Sequence, residues 1–154
     1  IEVIQALQHV YDARHQFRIT DSRTAELTKY MENSFLATKV SFCQQFYFIA
    51  SEMDVDYEEL RELFVLDPRV NPSHTFVDRL HPYWSSHCLD KDVPAIADTY
   101  EASLLQEIIK FNENTKKCLG IIRKAEIPEG KKNDMLMYQA GVRRKEILKD
   151  WETP

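Results

Sequence analysis

The sequence is poor in glycine and cysteine, and it contains no long apolar run. Its 154 residues include 3 glycines, none of which form a G-x-G-x-x-G turn, so the chain carries no dinucleotide-binding fingerprint. Its 3 cysteines are scattered and odd in number, which argues against a disulfide framework and predicts reduced thiols. No apolar stretch approaches the roughly 18 residues that a membrane span needs. We therefore expect a chain that does not span a membrane and does not bind a dinucleotide by itself.

The chain also lacks a basic surface pattern. Its formal net charge is -5, and only the short run RRK at 143–145 departs from the acidic balance. A nucleic-acid partner is not expected, because phosphate backbones require a basic stripe. No signal-type leader opens the sequence, so we expect a cytoplasmic protein. The chain begins at Ile1 rather than at a methionine, so we expect it to be a piece of a longer polypeptide.

Helical periodicity is what the sequence does contain, and alternating apolar runs typical of strands are missing. Predicted helices cover residues 1–16, 22–53 behind a cap cluster at 20–22, 56–65 opened by Asp56, a segment near Pro94 capped by Asp92, about 104–127, and about 134–151. Three prolines and three histidines interrupt the stretch 66–91, namely Pro68, Pro72, Pro82, His74, His81 and His87. The sequence therefore predicts an all-α fold in which shorter helices pack on a long central helix beside one long loop.

The predicted helix over residues 22–53 is long for so small a domain. At 1.5 Å per residue it measures roughly 45 Å. Its middle, residues 35–49, is apolar around much of its circumference, which suits burial on two sides, as at a dimer seam. A helix that runs through a single-chain core explains the pattern nearly as well, so both interpretations stay open.

The run SSHCLDKD at 85–92 brings a thiol, an amine and a carboxylate into five residues. Cysteine attacks as the thiolate, which a neighbouring cation such as Lys91 favours, and Asp92 could position or deprotonate a water. The plainer interpretation makes Cys88 a small buried hydrophobic residue and the other two a solvated pair at a helix start.

Lys29 and Asn33 form a second candidate pair on the long helix. They are four residues apart, so they share one face of the helix. A cation and an amide presented together can hold an oxyanion or a polyol. By itself, such a pair is more often ordinary surface.

Four motifs together resemble the central domain of the UDP-glucose/GDP-mannose dehydrogenase family. The run AELTKYMENSFLATKVSF at 25–42 is similar to the family pattern AE-x-x-K-x-x-x-N-x-F-L-A-x-K/R-x-S-F. The runs DPRV at 67–70, CLDKD at 88–92 and FNE at 111–113 resemble the family's D-x-R-I, C-x-x-K-D and N-E or N-D, in the family's order. The family's glycine pair before the cysteine is Ser85 and Ser86 here, and its N-E after S-F-x is Gln44 and Gln45.

This resemblance implies an NAD-dependent, two-step oxidation of the C6 alcohol of a UDP- or GDP-sugar to a carboxylate. By this resemblance, Cys88 matches the nucleophile, Asp92 the acid or base that orients water, and Lys29 and Asn33 the groups that stabilise the oxyanion and hold a water molecule. Arg69 matches the arginine that reaches the nucleotide sugar from a partner subunit, and Lys91 supports the loop, favours the Cys88 thiolate and binds the substrate. His87 occupies a place that is usually small in the family, and we expect it to bind the substrate. NAD would be bound mainly by a domain absent from this chain. The resemblance also implies a homodimer formed through the long helix.

The expected organisation is a single helical domain over 1–154, with a family-like core at about 20–127 and a C-terminal extension at 128–154. Two alternatives remain open at this stage. The chain could be a non-catalytic dimerisation module derived from the family. Alternatively, zinc could bind to His74, His81, His87 and Cys88, although their spacing matches no compact zinc pattern.

Overall fold

The computed structural model describes residues 2–8 and 16–124, and within these ranges the regular structure is entirely helical. The five helices are α1 (Glu2–Gln8), α2 (Ser22–Glu52), α3 (Tyr57–Phe64), α4 (Leu89–Thr99) and α5 (Ser103–Lys124). The predicted all-α fold with a long central helix and shorter helices packed on it is confirmed. The helix predicted at 134–151 and the extension at 128–154 lie outside the described residues.

The long helix α2 begins at a side-chain cap. Asp21 Oδ1 accepts from the backbone N–H of Thr24 at 3.0 Å, and Oδ2 accepts from the Thr24 hydroxyl at 2.7 Å. These bonds satisfy an N–H that has no partner within the helix. The helix then runs for 31 residues to Glu52 and is followed by Asp54 in a left-handed turn with φ of 55°.

Helix α3 ties down the loop that follows it. Asp56 caps α3 by accepting from the Glu59 N–H at 3.0 Å, as its place in the sequence predicts. Two α3 side chains then reach Thr75, which is fully buried: Tyr57 donates its hydroxyl to the Thr75 carbonyl at 2.8 Å, and Arg61 Nε donates to Thr75 Oγ1 at 2.8 Å. The segment from Val65 to Cys88 is therefore irregular in backbone but anchored at its middle.

The core lies between α2, α4 and α5. Its central cluster consists of Ala37 on α2, Trp84 in the loop and Val93 on α4, with Ile108 and Ile109 of α5 packed against it. A second cluster, formed by Cys43, Ala50, Tyr57 and Val77, joins α2 to α3 and the loop. The small α2 residues on this inward face allow the loop and α4 to approach α2 closely.

Two predicted helix boundaries are wrong. The first helix does not reach residue 16, because Gln16 lies outside any helix, while residues 9–15 are outside the described ranges. Helix α4 begins at Leu89 instead of near Pro94, so Asp92 lies inside the helix and does not cap it. The reason is that Ser86 Oγ accepts from the Leu89 N–H at 3.1 Å and opens the helix earlier. Pro94 is accommodated within α4, where it lacks the N–H that would bond the Asp90 carbonyl.

Candidate functional site

A buried carboxylate, Asp92, forms the centre of the site. It is 4% exposed and lies in the first turns of α4. Asn33 Nδ2, 59 residues earlier on α2, donates to Asp92 Oδ2 at 2.7 Å. Lys91 Nζ lies 3.0 Å from Asp92 Oδ1. Each carboxylate oxygen therefore has one strong donor, and the Asn33 bond joins the two helices at this point.

These partners keep Asp92 ionised. The hydrogen bond from Lys91 lowers the pKa of Asp92 below its ordinary value of 3.8, and the Asn33 bond and the charges of Lys91 and Lys29 act in the same direction. Desolvation by burial opposes them and is outweighed. The same pairing raises the pKa of Lys91. At neutral pH the site therefore contains a carboxylate beside an ammonium group, so Asp92 can accept a proton or orient a water molecule.

The predicted pair on α2 is divided between the surface and the interior. Asn33 is 8% exposed and is bonded to Asp92. Lys29, one turn earlier, is exposed, and its charge contributes to lowering the pKa of Asp92. The two residues thus share a face, as their spacing predicts, and both act on the same carboxylate.

Cys88 is exposed and lies immediately before α4. Its backbone is already helical, with φ of -75° and ψ of -53°, and its carbonyl accepts from the Asp92 N–H at 2.8 Å. Residues four apart in a helical turn lie on the same side, so the thiol and the carboxylate are presented together. The interpretation of Cys88 as a buried hydrophobic residue is wrong; Cys43 and Cys118 are the buried ones.

The two serines before Cys88 make hydrogen bonds that glycine could not make. Ser86 caps α4 through the Leu89 N–H. Ser85 Oγ donates to Asp90 Oδ2 at 3.0 Å, and Lys116 Nζ of α5 lies 3.3 Å from Asp90 Oδ1. Side-chain contacts of Ser85 and Ser86 therefore hold the segment around Cys88 in place. The family that the sequence resembles has a glycine pair at these two positions.

A buried clamp upstream of Cys88 was not predicted. The side-chain amide of Asn112 on α5 is fully buried and bonds the main chain of Trp84 twice, with Trp84 N donating to Oδ1 at 2.9 Å and Nδ2 donating to Trp84 O at 3.0 Å. The Trp84 indole Nε1 also donates to Ser41 Oγ of α2 at 3.0 Å. The only signal in the sequence was the FNE motif at 111–113, which gives no indication of the bonding partner.

Arg69 and His87 are both exposed, and neither is among the hydrogen-bond or charge partners of Asp92 in the described part of the chain. The Arg69 guanidinium instead folds onto Asp67, with Nη2 2.6 Å from Oδ2. This pairing lowers the pKa of Asp67 and raises that of Arg69. His87 precedes Cys88 in the exposed turn. The structure therefore brings together Lys29, Asn33, Lys91, Asp92 and Cys88, and leaves Arg69 outside this group.

The zinc alternative requires several of the side chains of His74, His81, His87 and Cys88 to converge. Among residues 2–8 and 16–124, no three His, Cys, Asp or Glu side chains come together in a way that could hold a metal ion. His81 Nδ1 lies 3.1 Å from Asp78 Oδ2, within the loop.

Within residues 2–8 and 16–124, none of the helices has the length and apolar character required to cross a bilayer.

Comparison with known proteins gives one family. The model of the UDP-glucose/GDP-mannose dehydrogenase family, central domain, matches residues 23–114. The chain is 30% identical over 103 residues to a UDP-glucose 6-dehydrogenase of Rickettsia felis, covering 64% of this chain and 22% of the relative. Identity is 32% over 105 residues to UDP-glucose 6-dehydrogenase YwqF of Bacillus subtilis, covering 65% and 23%. For UDP-glucose 6-dehydrogenase AglM of Haloferax volcanii, it is 31% over 114 residues, covering 70% and 26%. No solved structure gives a significant match. The chain thus spans about a quarter or less of the length of these relatives.

Proposed function

Because this chain belongs to the UDP-glucose/GDP-mannose dehydrogenase family, we propose that it is the central, substrate-binding and dimerisation domain of a nucleotide-sugar 6-dehydrogenase. The observation that carries this proposal is the buried hydrogen bond between Asn33 and Asp92. It joins the first and third family-like motifs across 59 residues, and the exposed thiol of Cys88 lies one turn from the same carboxylate. The sugar is proposed to be a UDP- or GDP-sugar, and its C6 alcohol is oxidised to a carboxylate.

Cys88 is the proposed nucleophile. Its sulfur adds to the carbon of the C6 aldehyde, and the carbonyl oxygen takes up the thiol proton to give a thiohemiacetal. Oxidation of that adduct removes the hydrogen on carbon as hydride and the hydroxyl proton, which leaves a thioester. The exposure of Cys88 at the start of α4 supports this role, since a substrate can reach the thiol without unfolding the chain.

Asp92, Asn33 and Lys29 are proposed to act in thioester hydrolysis. A water molecule adds to the thioester carbonyl and gives a proton to the Asp92 carboxylate, which is ionised at neutral pH. The resulting oxyanion is stabilised by the amide of Asn33 and the ammonium of Lys29. Collapse expels the Cys88 sulfur as a thiolate, which takes up the proton held by Asp92, so the sugar acid is released and both the thiol and the carboxylate are regenerated.

NAD is the oxidant that the family resemblance implies, and this chain offers it no recognisable site. The sequence has 3 glycines and no G-x-G-x-x-G, so its residues do not fit a dinucleotide cradle. We propose that NAD is held elsewhere in the longer polypeptide, where it would supply the oxidising capacity for both steps. The residues of this chain supply the covalent chemistry and the water.

The exposed groups near Cys88 are proposed to contact the substrate. His87 lies in the same exposed turn as the thiol, and Lys91 is exposed in the first turn of α4. Both suit a polyol or a pyrophosphate. Arg69 contacts Asp67 within its own chain. Its proposed role is to bind the nucleotide sugar in the other subunit of a dimer, where an anionic phosphate would compete with Asp67 for the guanidinium.

Dimerisation through α2 is supported by an inverted distribution of residues on that helix. Its inward face consists largely of small and polar residues such as Asn33 and Ser41. Large apolar residues point outward at four-residue spacing, with exposed fractions of 59% for Leu27, 75% for Met31 and 63% for Phe35. A stripe of this kind marks an interaction surface, and a second copy of α2 presents the same stripe.

The proposed function is tested with the longest natural polypeptide that contains this chain. Incubation with NAD and a panel of UDP- and GDP-sugars is expected to yield two NADH per sugar, and Cys88→Ser is expected to abolish carboxylate formation. Cys118→Ala is the matched control, because it removes a buried thiol on α5 and leaves the site intact. Absence of NADH with every sugar, from a protein that still forms a dimer, would instead favour the non-catalytic dimerisation module.

A further inference from the structure

Helix α5 holds both ends of the short segment that carries Cys88. At one end, Asn112 bonds the main chain of Trp84 through both groups of its amide. At the other end, Lys116 Nζ lies 3.3 Å from the carboxylate of Asp90. Asn112 and Lys116 are four residues apart, so they lie one above the other on a single face of α5. Cys88 lies between the two points of attachment.

The contact at Trp84 is specific because each of its polar groups has one partner. The Trp84 N–H and C=O are both used by Asn112, and the indole N–H is used by Ser41 of α2. Asn112 is fully buried, so its removal would leave two main-chain groups without water or another partner. Trp84 is itself 5% exposed and part of the central core cluster. It is therefore fixed to α5 and to α2 at once.

Through Trp84, the clamp also fixes the segment that carries Cys88 relative to α2, the helix that contacts Asp92. Ser41 and Asn33 both lie on the buried side of α2, and Asn33 holds the carboxylate. A straight helix keeps these two points at a fixed separation. The segment that carries the thiol and the helix that carries the carboxylate are thus both bonded to α2, which fixes their relative position.

We propose that Asn112 is a positioning residue for Cys88, which it places relative to Asp92 by fixing Trp84. The inference rests on the proposed function in so far as Cys88 is the nucleophile. Lys116 holds the other end of the segment at Asp90. Its Nζ also lies 3.0 Å from Glu113 Oε1 and 5.5 Å from the centroid of the Trp84 ring. Small displacements of reacting groups cost large factors in rate, so a residue remote from the chemistry can control it.

The clamp itself is tested by amide hydrogen exchange on the full chain. In Asn112→Ser, exchange over residues 84–90 is expected to accelerate about fivefold or more, because two hydrogen bonds are lost locally, while α2 and α3 exchange as in wild type. Asn114→Ser is the matched control on α5, since Asn114 lines the groove between α2 and α5 and not the clamp. If Asn112→Ser does not fold, Ser41→Ala releases Trp84 from its other side and is judged by the same criterion. Unchanged exchange over 84–90 overturns the clamp.

The positioning role is tested separately in the longest natural polypeptide. Asn112→Ser is expected to lower kcat about tenfold or more while KM for the sugar changes less than about twofold. An unchanged kcat despite faster exchange, or an equal loss in Asn114→Ser, overturns the positioning role. A wild-type polypeptide without dehydrogenase activity defeats the proposed function instead, and the exchange result still decides whether Asn112 holds Trp84.

Discussion

At the scale of single residues, Asp92 shows how burial and ionisation are reconciled. A carboxylate removed from water is costly unless donors replace its hydration. Here an amide from α2 and an ammonium from the adjacent residue provide those donors, one on each oxygen. The result is an anion that stays charged at neutral pH although it is almost fully buried, so it can accept a hydrogen bond from a water molecule.

The lowered pKa of Asp92 predicts a pH-dependent contribution to stability. Because the folded-state pKa lies below the ordinary value of 3.8, the stabilisation is complete above that value and is lost as pH falls through the folded pKa. Asp92→Asn keeps an acceptor for Asn33 but removes the charge. Urea unfolding should find the variant less stable than wild type at pH 7, with the difference shrinking as pH falls below 3.8. A difference that stays constant over this range would contradict the assignment.

The three thiols should differ in their reactivity with an alkylating agent. Cys43 and Cys118 are 2% and 1% exposed, and burial raises the pKa of each thiol, so both access and thiolate content are reduced. Cys88 is exposed. Mass spectrometry after brief treatment with iodoacetamide at neutral pH should locate the label on Cys88, with the other two modified only in urea. Equal labelling of all three in the folded chain would mean that the core is open.

At the scale of elements, the start of α4 is set by Ser86, two residues before Cys88. Proline is a favoured first-turn residue, so Pro94 suggested a helix start in the sequence. The helix begins instead after the cap from Ser86, and the added turn contains Asp90 and Asp92. This extra turn brings Cys88 and Asp92 into one helical repeat, which an α4 starting at Pro94 would not achieve.

Replacement of Ser86 should reveal its role as a cap by the order of stabilities. At an interior helix position alanine is more stable than glycine, whereas at a cap the order reverses. We expect Ser86→Gly to lose a few tenths of a kcal/mol and Ser86→Ala about 1 kcal/mol of unfolding free energy in urea titrations. An order with alanine above glycine would show that the hydroxyl does not cap α4. The glycine variant also restores the residue of the resembled family.

The sequence predicted helices better than it predicted contacts. Local signals sufficed for the caps at Asp21 and Asp56 and for the length of α2, because capping and periodicity act within a few residues. Lys29 and Asn33 were paired by their spacing on one helix. Nothing local could predict that Asn33 would bond Asp92 or that Asn112 would hold Trp84, since these contacts join residues 59 and 28 apart. Family resemblance grouped the first pair, and only the fold identified the second.

At the scale of the whole molecule, α2 serves two surfaces. Its buried side contacts α3, α4 and α5, while its outward side presents a stripe of large apolar residues. Monomeric proteins seldom leave such a stripe uncovered along one helix. The same helix therefore contributes to the candidate site on one side and presents the exposed apolar stripe of the proposed dimer on the other.

Charge placed in the stripe should dissociate the proposed dimer. Met31→Glu puts a carboxylate at the centre of the outward face, where it would meet its own copy across a two-fold axis. Light scattering over a range of concentrations should find wild type as a dimer and the variant as a monomer with unchanged helix content. Leu66→Glu is the matched control, because Leu66 is equally exposed at 75% but lies in the loop. A monomeric wild type, or equal behaviour of both variants, would contradict dimerisation through α2.

The clamp between Trp84 and Asn112 can form only after the ribosome has translated α5. A ribosome that adds about 5–20 residues per second needs roughly one to six seconds to cover the 28 residues between them. During that interval α2 has already been translated and the Cys88 turn follows, while Trp84 has no partner on α5. A nascent chain arrested late in this interval would contain Cys88 and Asp92 without the helix that holds Trp84 in place.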